Sequence, residues 1–290
     1  MSRDLSDPLV SIAMPIYNGE RYLKLALDSL IRQSYKNWEL WLIDDGSTDR
    51  SLTIAQSFND PRIRIVRDGN NEGLARRLNQ AIDLARGEYL MRMDQDDVCH
   101  PQRIAVQVKF MLTQPSCDLS ATRAITIDEN NTIIGELPFV STHQRLTQLP
   151  WRTFYMPHPT WMGKRSWFKQ HYYAHAAPYC CEDQELLLRT YATSQFATVD
   201  HVSLAYRIRS TIDLRKLFRT RNALLNVQLN HFLRNGYIFS ALAAIALYGL
   251  RVVQDVIRHS RHKSLHSRKH IHPEHEQAWQ AILKNLENQP

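Results

Sequence analysis

Apolar positions over the first hundred residues follow two alternating rhythms. Leu9–Met14, Trp38–Ile43, Arg62–Val66 and the run that begins at Tyr89 are short, nearly continuous apolar stretches. Such runs read as strands covered on both faces. Between them, apolar residues recur every three or four positions: Tyr22, Leu23, Ala26, Leu27, Leu30 and Ile31, then Leu74, Leu78, Ala81, Ile82 and Ala85. That spacing gives a helix one buried stripe. Thr48 or Asp49 is a candidate N-cap for a further helix, and Gly87 stops the one after it. Strands alternating with helices predict βαβ units and a mostly parallel sheet.

The polar residues that close these strands carry the candidate chemistry. Pro15-Ile-Tyr-Asn18, Asp44-Asp-Gly-Ser47 and Asp94-Gln-Asp-Asp97 each follow an apolar run. Ligands of open α/β sheets bind beyond the carboxyl ends of the strands, so the topology brings all three to one rim. The third places Asp94, Asp96 and Asp97 within four positions, and carboxylates so close call for a compensating cation. An Asp-x-Asp at a strand edge suits a hard divalent ion whose shell is completed by substrate phosphates. A Gly-x-Gly-x-x-Gly fingerprint and a Walker A loop are both missing.

Farther on, Pro101 suits the first turn of a helix with Ile104, Val108, Met111 and Leu112 as its stripe. Cys117–Asp128 and Thr132–Leu137 read as strands around an Asn-Asn turn. The last third changes character. Leu214, Leu217, Phe218, Leu225, Leu229, Phe232 and Leu233 make an amphipathic helix with Arg215, Lys216, Arg219 and Arg221 opposite, interrupted at Gly236. Tyr237–Leu250 carries no charge, and Arg251, Arg258, Arg261, Lys263, Arg268 and Lys269 follow it. The uncharged run falls short of the roughly 20 residues that span a bilayer. It fits a helix in the membrane interface with cations toward anionic headgroups, or a helix packed on the domain or a partner subunit as in a homo-oligomer.

Composition refines this picture modestly. The chain has 290 residues, 43% hydrophobic and 22% charged, and a formal net charge of +7, with the basic excess crowded between Arg207 and Lys269. Without interleaved aromatics or a known nucleic-acid fold, that excess does not point to nucleic acid. Cys99, Cys117, Cys180 and Cys181 have neither Cys-x-x-Cys nor zinc-finger spacing, and the amino terminus lacks the apolar core of a secretory signal. Reduced thiols and a cytoplasmic location are expected.

Five stretches in order resemble the family 2 glycosyltransferases of the GT-A fold: Val10-Ser-Ile-Ala-Met-Pro-Ile-Tyr-Asn-Gly-Glu20, Ile43-Asp-Asp-Gly-Ser-Thr-Asp49, Asn71-Glu-Gly-Leu-Ala-Arg-Arg-Leu-Asn79, Ala85-Arg-Gly-Glu-Tyr89 and Met93-Asp-Gln-Asp-Asp97. The resemblance implies a GT-A α/β domain over residues 1–210, with a donor-nucleotide half at about 9–103 and an acceptor half at about 104–210. Residues 211–290 would form a helical, basic extension. It implies that Pro15, Tyr17, Asn18 and Glu20 line the nucleoside, with Tyr17 stacking on the base. Asp44 or Asp45 would accept the imide N–H of a uracil. Asp96 would bind Mn²⁺ or Mg²⁺ and the diphosphate, with Asp94 near ribose or metal and Arg76 near a phosphate. On the acceptor side, Glu182-Asp183 matches the family's acidic pair, which makes Asp183 the general base, with Glu182 and His158 close by. The aromatic usual after that pair is Gln184 here, and the usual glycine before it is absent.

The expected activity is inverting transfer from a nucleotide sugar, a UDP-sugar by preference, to a glycan or lipid-linked acceptor at the cytoplasmic membrane face. The Gln-x-x-Arg-Trp signature of processive synthases is missing, which favours transfer of single sugars. A phosphatase would want a small hydroxyl residue after its nucleophilic Asp, and Asp96-Asp97-Val98 does not supply one. A catalytically silent sugar-nucleotide-binding or scaffold protein of the same fold is the alternative.

Overall fold

A computed structural model describes residues 7–176, 180–208, 213–260 and 271–288. The expected domain boundary near residue 210, Tyr179 before the acidic pair, and the basic residues from Arg261 to Lys269 lie outside the described residues.

The donor half follows the alternating pattern. Strands β1 (Val10–Ile16), β2 (Trp38–Asp44), β3 (Ile63–Arg67) and β4 (Tyr89–Arg92) are joined by helices α1 (Leu23–Ile31), α2 (Ser51–Gln56) and α3 (Leu74–Leu84). They pair in parallel in the order β3-β2-β1-β4. β1 is buried at every position because its alternate side chains face two different helical layers. Ile12, Met14 and Ile16 join α1 in one core, whereas Ala13 joins Leu78, Ala81 and Ile82 of α3 in another. Pro15 falls inside β1 without breaking it, since the pairing with β4 ends at Ala13 and leaves no partner there for the missing N–H.

The acceptor half is mixed rather than parallel. After β5 (Val98–Cys99) and α4 (Arg103–Thr113) come β6 (Leu119–Ile127), β7 (Ile133–Glu136), α5 (His143–Thr147) and a 3₁₀ turn at His158–Thr160. β8 (Met162–Lys164), α6 (Arg165–Gln170), α7 (Glu182–Thr190) and β9 (Phe196–Arg207) complete the domain. β8 runs antiparallel between β4 and β6, and β9 lies parallel to β6. The full order is β3-β2-β1-β4-β8-β6-β9-β5, with β7 pairing β6 farther along the edge that β8 shares. The expected mostly parallel arrangement thus holds across the first four strands, where helical crossovers enforce it. All four cysteines are unpaired.

Local boundaries shift slightly from the sequence pattern. Arg50, not Thr48 or Asp49, is the N-cap of α2, although Asp49 Oδ1 accepts the Ser51 N–H at 2.9 Å. α4 starts at Arg103, two residues beyond Pro101.

Three helices follow: α8 (Leu214–Arg234), α9 (Ile238–Ser260) and α10 (Pro273–Glu287). Asp213 caps α8 through the N–H groups of Arg215 and Lys216, and Gly236, at φ +73°, makes the turn into α9. Phe232 of α8 and Ala241 and Ala244 of α9 enter the core shared with α3, α6 and α7. Asp255 of α9 pairs with Arg221 of α8. α10 packs on the domain itself, with Trp279, Leu283 and Leu286 buried against Val98, Ile125, Ile127 and Val202.

α9 also extends farther than the uncharged run. It continues through Arg251, so Ile238–Ile257 is long and apolar enough to cross a membrane by length and composition. The expectation that this segment falls short of a span came from ending it at Leu250. One side packs on α8, and the opposite side exposes Phe239, Leu242, Ile245, Leu250, Val253 and Val256.

Candidate functional site

The loop after β1 and the turn after β2 hold each other in place. Asn18, at φ +46°, accepts the Thr48 N–H on its side-chain oxygen at 2.9 Å, and its own N–H goes to Ser47 Oγ at 3.1 Å. The Glu20 N–H donates to Asp49 Oδ2, and the Glu20 carboxylate turns outward to the Arg50 N–H at 3.0 Å. Asn18 and Glu20 therefore shape the loop. Gln95, between the two aspartates of the acidic edge, exchanges both of its amide bonds with the backbone of Tyr17, at 2.8 and 2.9 Å. A Cβ at Gly19 would meet Gln95 Oε1, so a larger residue there would displace the Gln95 side chain from Tyr17.

Of the expected base-binding pair, Asp44 is fully buried, accepting from the Ser47 N–H at 3.1 Å with Arg67 3.8 Å away. Asp45 forms part of a cavity wall, but its carboxylate is already engaged by the Glu72 and Gly73 N–H groups and by Arg77 Nε at 2.8 Å. Gly73 reaches that carboxylate from φ +87°, a conformation glycine adopts without strain. Arg77, 1% exposed, also grips Asp68 through both terminal nitrogens at 2.7 Å. Arg77 raises no expectation from the motif pattern, whereas its neighbour Arg76 does. Arg76 lies exposed at the cavity rim.

Two cavities meet at Asp94 and Leu74. The smaller, about 350 Å³, is lined by Pro15, Tyr17, Asp45, Asn71, Gln95 and Asp96 as well. Tyr17 is 48% exposed at its mouth. The larger, about 840 Å³, includes Arg76, Arg92, His158, Glu182, Asp183 and Tyr206. Glu182 and Asp183 open α7, where the helix dipole favours negative charge. Asp183 Oδ2 accepts from the Gln184 side chain at 3.1 Å, and Gln184 also braces Phe154 on the cavity wall. His158 is buried, with Nε2 2.7 Å from the Tyr173 hydroxyl and Nδ1 3.6 Å from Glu182. Burial and the Arg92 charge push its pKa down to about 3, so the imidazole is neutral at physiological pH.

The acidic edge is strained electrostatically. Burial and then the neighbouring Asp94 push Asp96 up to about 6, and the same influences raise Asp97 further. Arg207 offsets this only in part. Its backbone N–H reaches Asp97 Oδ1 at 2.8 Å and its Nε reaches the Asp96 carbonyl at 2.7 Å, while Asp97 Oδ2 stays buried without a partner among the described residues. A divalent cation at Asp94 and Asp96 fits this shortage of positive charge. Among the described residues no three His, Cys, Asp or Glu side chains converge to hold a metal alone. Such an ion would therefore take its remaining ligands from phosphate oxygens and water.

A sheet of order 3-2-1-4 extended by a mixed half, with an Asp-x-Asp where the two halves meet, defines the GT-A class of α/β domains. A family model described as Glycosyl transferase family 2 matches residues 11–172, more than half of the chain. The chain belongs to that family. An uncharacterized glycosyltransferase of Haemophilus influenzae is 41% identical over 107 residues, 36% of this chain and 43% of its own. WfgD of Escherichia coli, a UDP-Glc:α-D-GlcNAc-diphosphoundecaprenol β-1,3-glucosyltransferase, is 32% identical over 132 residues, 46% of this chain and 51% of its own. The chain thus spans about half the length of these curated relatives. Among solved structures, Staphylococcus aureus TarS 1–349 in complex with UDP superposes with a TM-score of 0.59 at 20% identity, over 76% of this chain and 65% of that one. The mannosyltransferase PcManGT from Pyrobaculum calidifontis, in complex with GDP-Man and Mn²⁺, gives 0.57 at 15% identity, over 97% and 86%.

Proposed function

We propose that this chain is an inverting transferase that moves a sugar from a nucleoside-diphosphate sugar, a UDP-sugar by preference, to a hydroxyl of a glycan or lipid-linked acceptor. The observation that carries this reading is the junction of the two cavities at Asp94. The smaller one has the size and the aromatic mouth for a nucleoside, and the larger one ends in Glu182 and Asp183. A glycosyl group attached to a diphosphate at Asp94 and Asp96 would reach from one toward the other. Asp183 then has the place of the general base that takes the acceptor proton. Neutral His158, fixed by Tyr173, lies 3.6 Å from Glu182 beside it. When bound, Mn²⁺ or Mg²⁺ would neutralise charge on the departing diphosphate. The base-reading carboxylate is Asp45 rather than Asp44, because Asp44 is sealed from both cavities.

The fold neighbours are described with UDP and with GDP-Man and Mn²⁺, and WfgD acts on a diphosphoundecaprenol acceptor by name. Those descriptions support a nucleotide-sugar donor, a divalent cation and a lipid-linked acceptor for this chain. An acceptor of that kind suits action at the cytoplasmic face of a membrane, with the exposed apolar side of α9 in the interface.

The test is thermal protection by UDP- and GDP-sugars with and without Mn²⁺, coupled to transfer onto a lipid-linked glycan extract. Asp183→Asn should keep donor protection and lower the transfer rate by about 10²–10⁴-fold. Protection without turnover in the unmodified protein would favour the silent-binding alternative, and an unchanged rate in the variant would remove Asp183 from the mechanism.

A further inference from the structure

Arg92 ends strand β4 two residues before Asp94, and its side chain lines the larger cavity. It is 5% exposed, and Nη2 meets Asp94 Oδ1 at 2.7 Å. Nε and Nη1 have no hydrogen-bond partner among the described residues. A guanidinium stays charged at physiological pH, and here Asp94 is its partner. A buried guanidinium with unused N–H donors is costly unless something else satisfies them. Its position suggests what does.

If the nucleoside fills the smaller cavity and the diphosphate sits at Asp94, the transferred sugar must lie beyond Asp94 on the way to Asp183. Arg92 is bonded to Asp94 and shares the larger cavity with Glu182 and Asp183. We propose that Arg92 is a specificity-determining residue that reads the glycosyl group of the donor, its Nε–H and Nη1–H donating to hydroxyl or carboxylate oxygens of that sugar. This rests on the glycosyltransferase reading above. Positive charge develops at the anomeric carbon during transfer. A cation is tolerable beside it only when already neutralised, as Asp94 neutralises Arg92, and only when aimed at ring substituents. A phosphate of the acceptor is a poorer occupant, since it would enter beside the carboxylates of Glu182 and Asp183.

The experiment compares Arg92→Lys and Arg92→Gln with the unmodified protein in Mn²⁺, titrating UDP, UDP-glucose, UDP-N-acetylglucosamine, UDP-glucuronate and GDP-mannose by calorimetry. Because Arg92 also holds Asp94, both variants are judged by their affinity for nucleotide sugar relative to their own affinity for bare nucleotide. They should lose about 10-fold or more in affinity for the preferred nucleotide sugar, because its oxygens lose a matched donor. Loss confined to UDP-glucuronate assigns a carboxylate, and loss for the neutral sugars assigns hydroxyls. Unchanged preference for sugar over bare nucleotide overturns the proposal, as does a rise in acceptor KM alone. Should Arg92→Gln not fold, Arg92→Lys retains the charge. A structure of the unmodified protein with its nucleotide sugar decides independently: Nε and Nη1 both beyond hydrogen-bond reach of every glycosyl oxygen overturns it. Failure of the unmodified protein to bind any of the five ligands would sink the glycosyltransferase reading instead.

Discussion

Arg77→Leu is the most direct test of how the donor cavity is held. The substitution keeps most of the apolar stem and removes the guanidinium that ties Asp45 to Asp68 across the turn before α3. Removing one partner of a buried ion pair costs about 3–5 kcal/mol, because the other charge is left uncompensated. Here the low end applies. Asp45 keeps the Glu72 and Gly73 N–H groups, and the Asp68 side chain, 39% exposed, can be rehydrated. A loss of about 3 kcal/mol corresponds to a fall of roughly 6–12 °C in Tm for a domain near this size. The pH dependence gives a second readout. Arg77 first, then the Asn70 N–H, hold Asp68 down to about 2, against about 4 in the unfolded chain. A depressed carboxyl pKa contributes stability that is present above about pH 4 and lost as pH falls through about 2. Differential scanning calorimetry should therefore show the gap between unmodified protein and variant narrowing from pH 4 toward pH 2. A Tm loss under about 2 °C at pH 7, or a gap that does not change with pH, would refute the argument.

Other expectations follow from the same geometry. With Asp96 raised to about 6 by burial and Asp94, the metal-free protein should lose stability as pH rises from about 4 through 6. Mn²⁺ with UDP needs the ionised carboxylate and should raise Tm more at pH 7.5 than at pH 5. Asp96→Asn should abolish the Mn²⁺ increment and weaken the pH trend, with buried Asp97 keeping the remainder, and an equal increment at both pH values in the unmodified protein would contradict the metal assignment. Trp279→Ala, at a position 1% exposed, should cost about 3–5 kcal/mol by urea denaturation. A change below about 1 kcal/mol would mean that α10 does not seal the core. Leu242→Ser with Val253→Ser should weaken co-sedimentation with anionic vesicles while leaving donor binding unchanged. If a dimer dissociates and vesicle binding persists, that face is a subunit interface instead.

The donor half was legible because its information is local. Strand runs, helical stripes and the polar residues at strand ends each fall within a few positions, and the rule that sites form at carboxyl ends brings them together. Arg77 shows where that reading stopped short. At about 100° per residue, Arg76 points roughly opposite the Leu74–Leu78–Ala81–Ile82 stripe, and Arg77 lies near its flank. The helical geometry thus favours Arg77 as the buried arginine, but the family motif drew attention to Arg76 alone. Gln95 and Arg92 were harder to find. Gln95 acts through the backbone of Tyr17, 78 positions away, and Arg92 through a cavity whose far wall begins at Leu137. No periodicity in the chain carries pairings of that range.

The C-terminal third illustrates a different limit. Its amphipathic spacing correctly implied helices, but amphipathicity specifies that a face is buried and not what buries it. α8 lays its apolar side on the domain, and α9 packs on α8 with its opposite face exposed. α10 returns to cover the strands beside the acidic edge, where Trp279 meets His100 edge-on at 5.6 Å. The order of these contacts decides which part can be removed. A cut after Asn235 takes away α10 along with α9 and uncovers Val98 and Ile125 in the core beneath α10. Solubility after such a cut would report on that core as much as on membrane affinity. Substitutions confined to the exposed side of α9 separate the two, because that side contributes nothing to either of the cores beneath it.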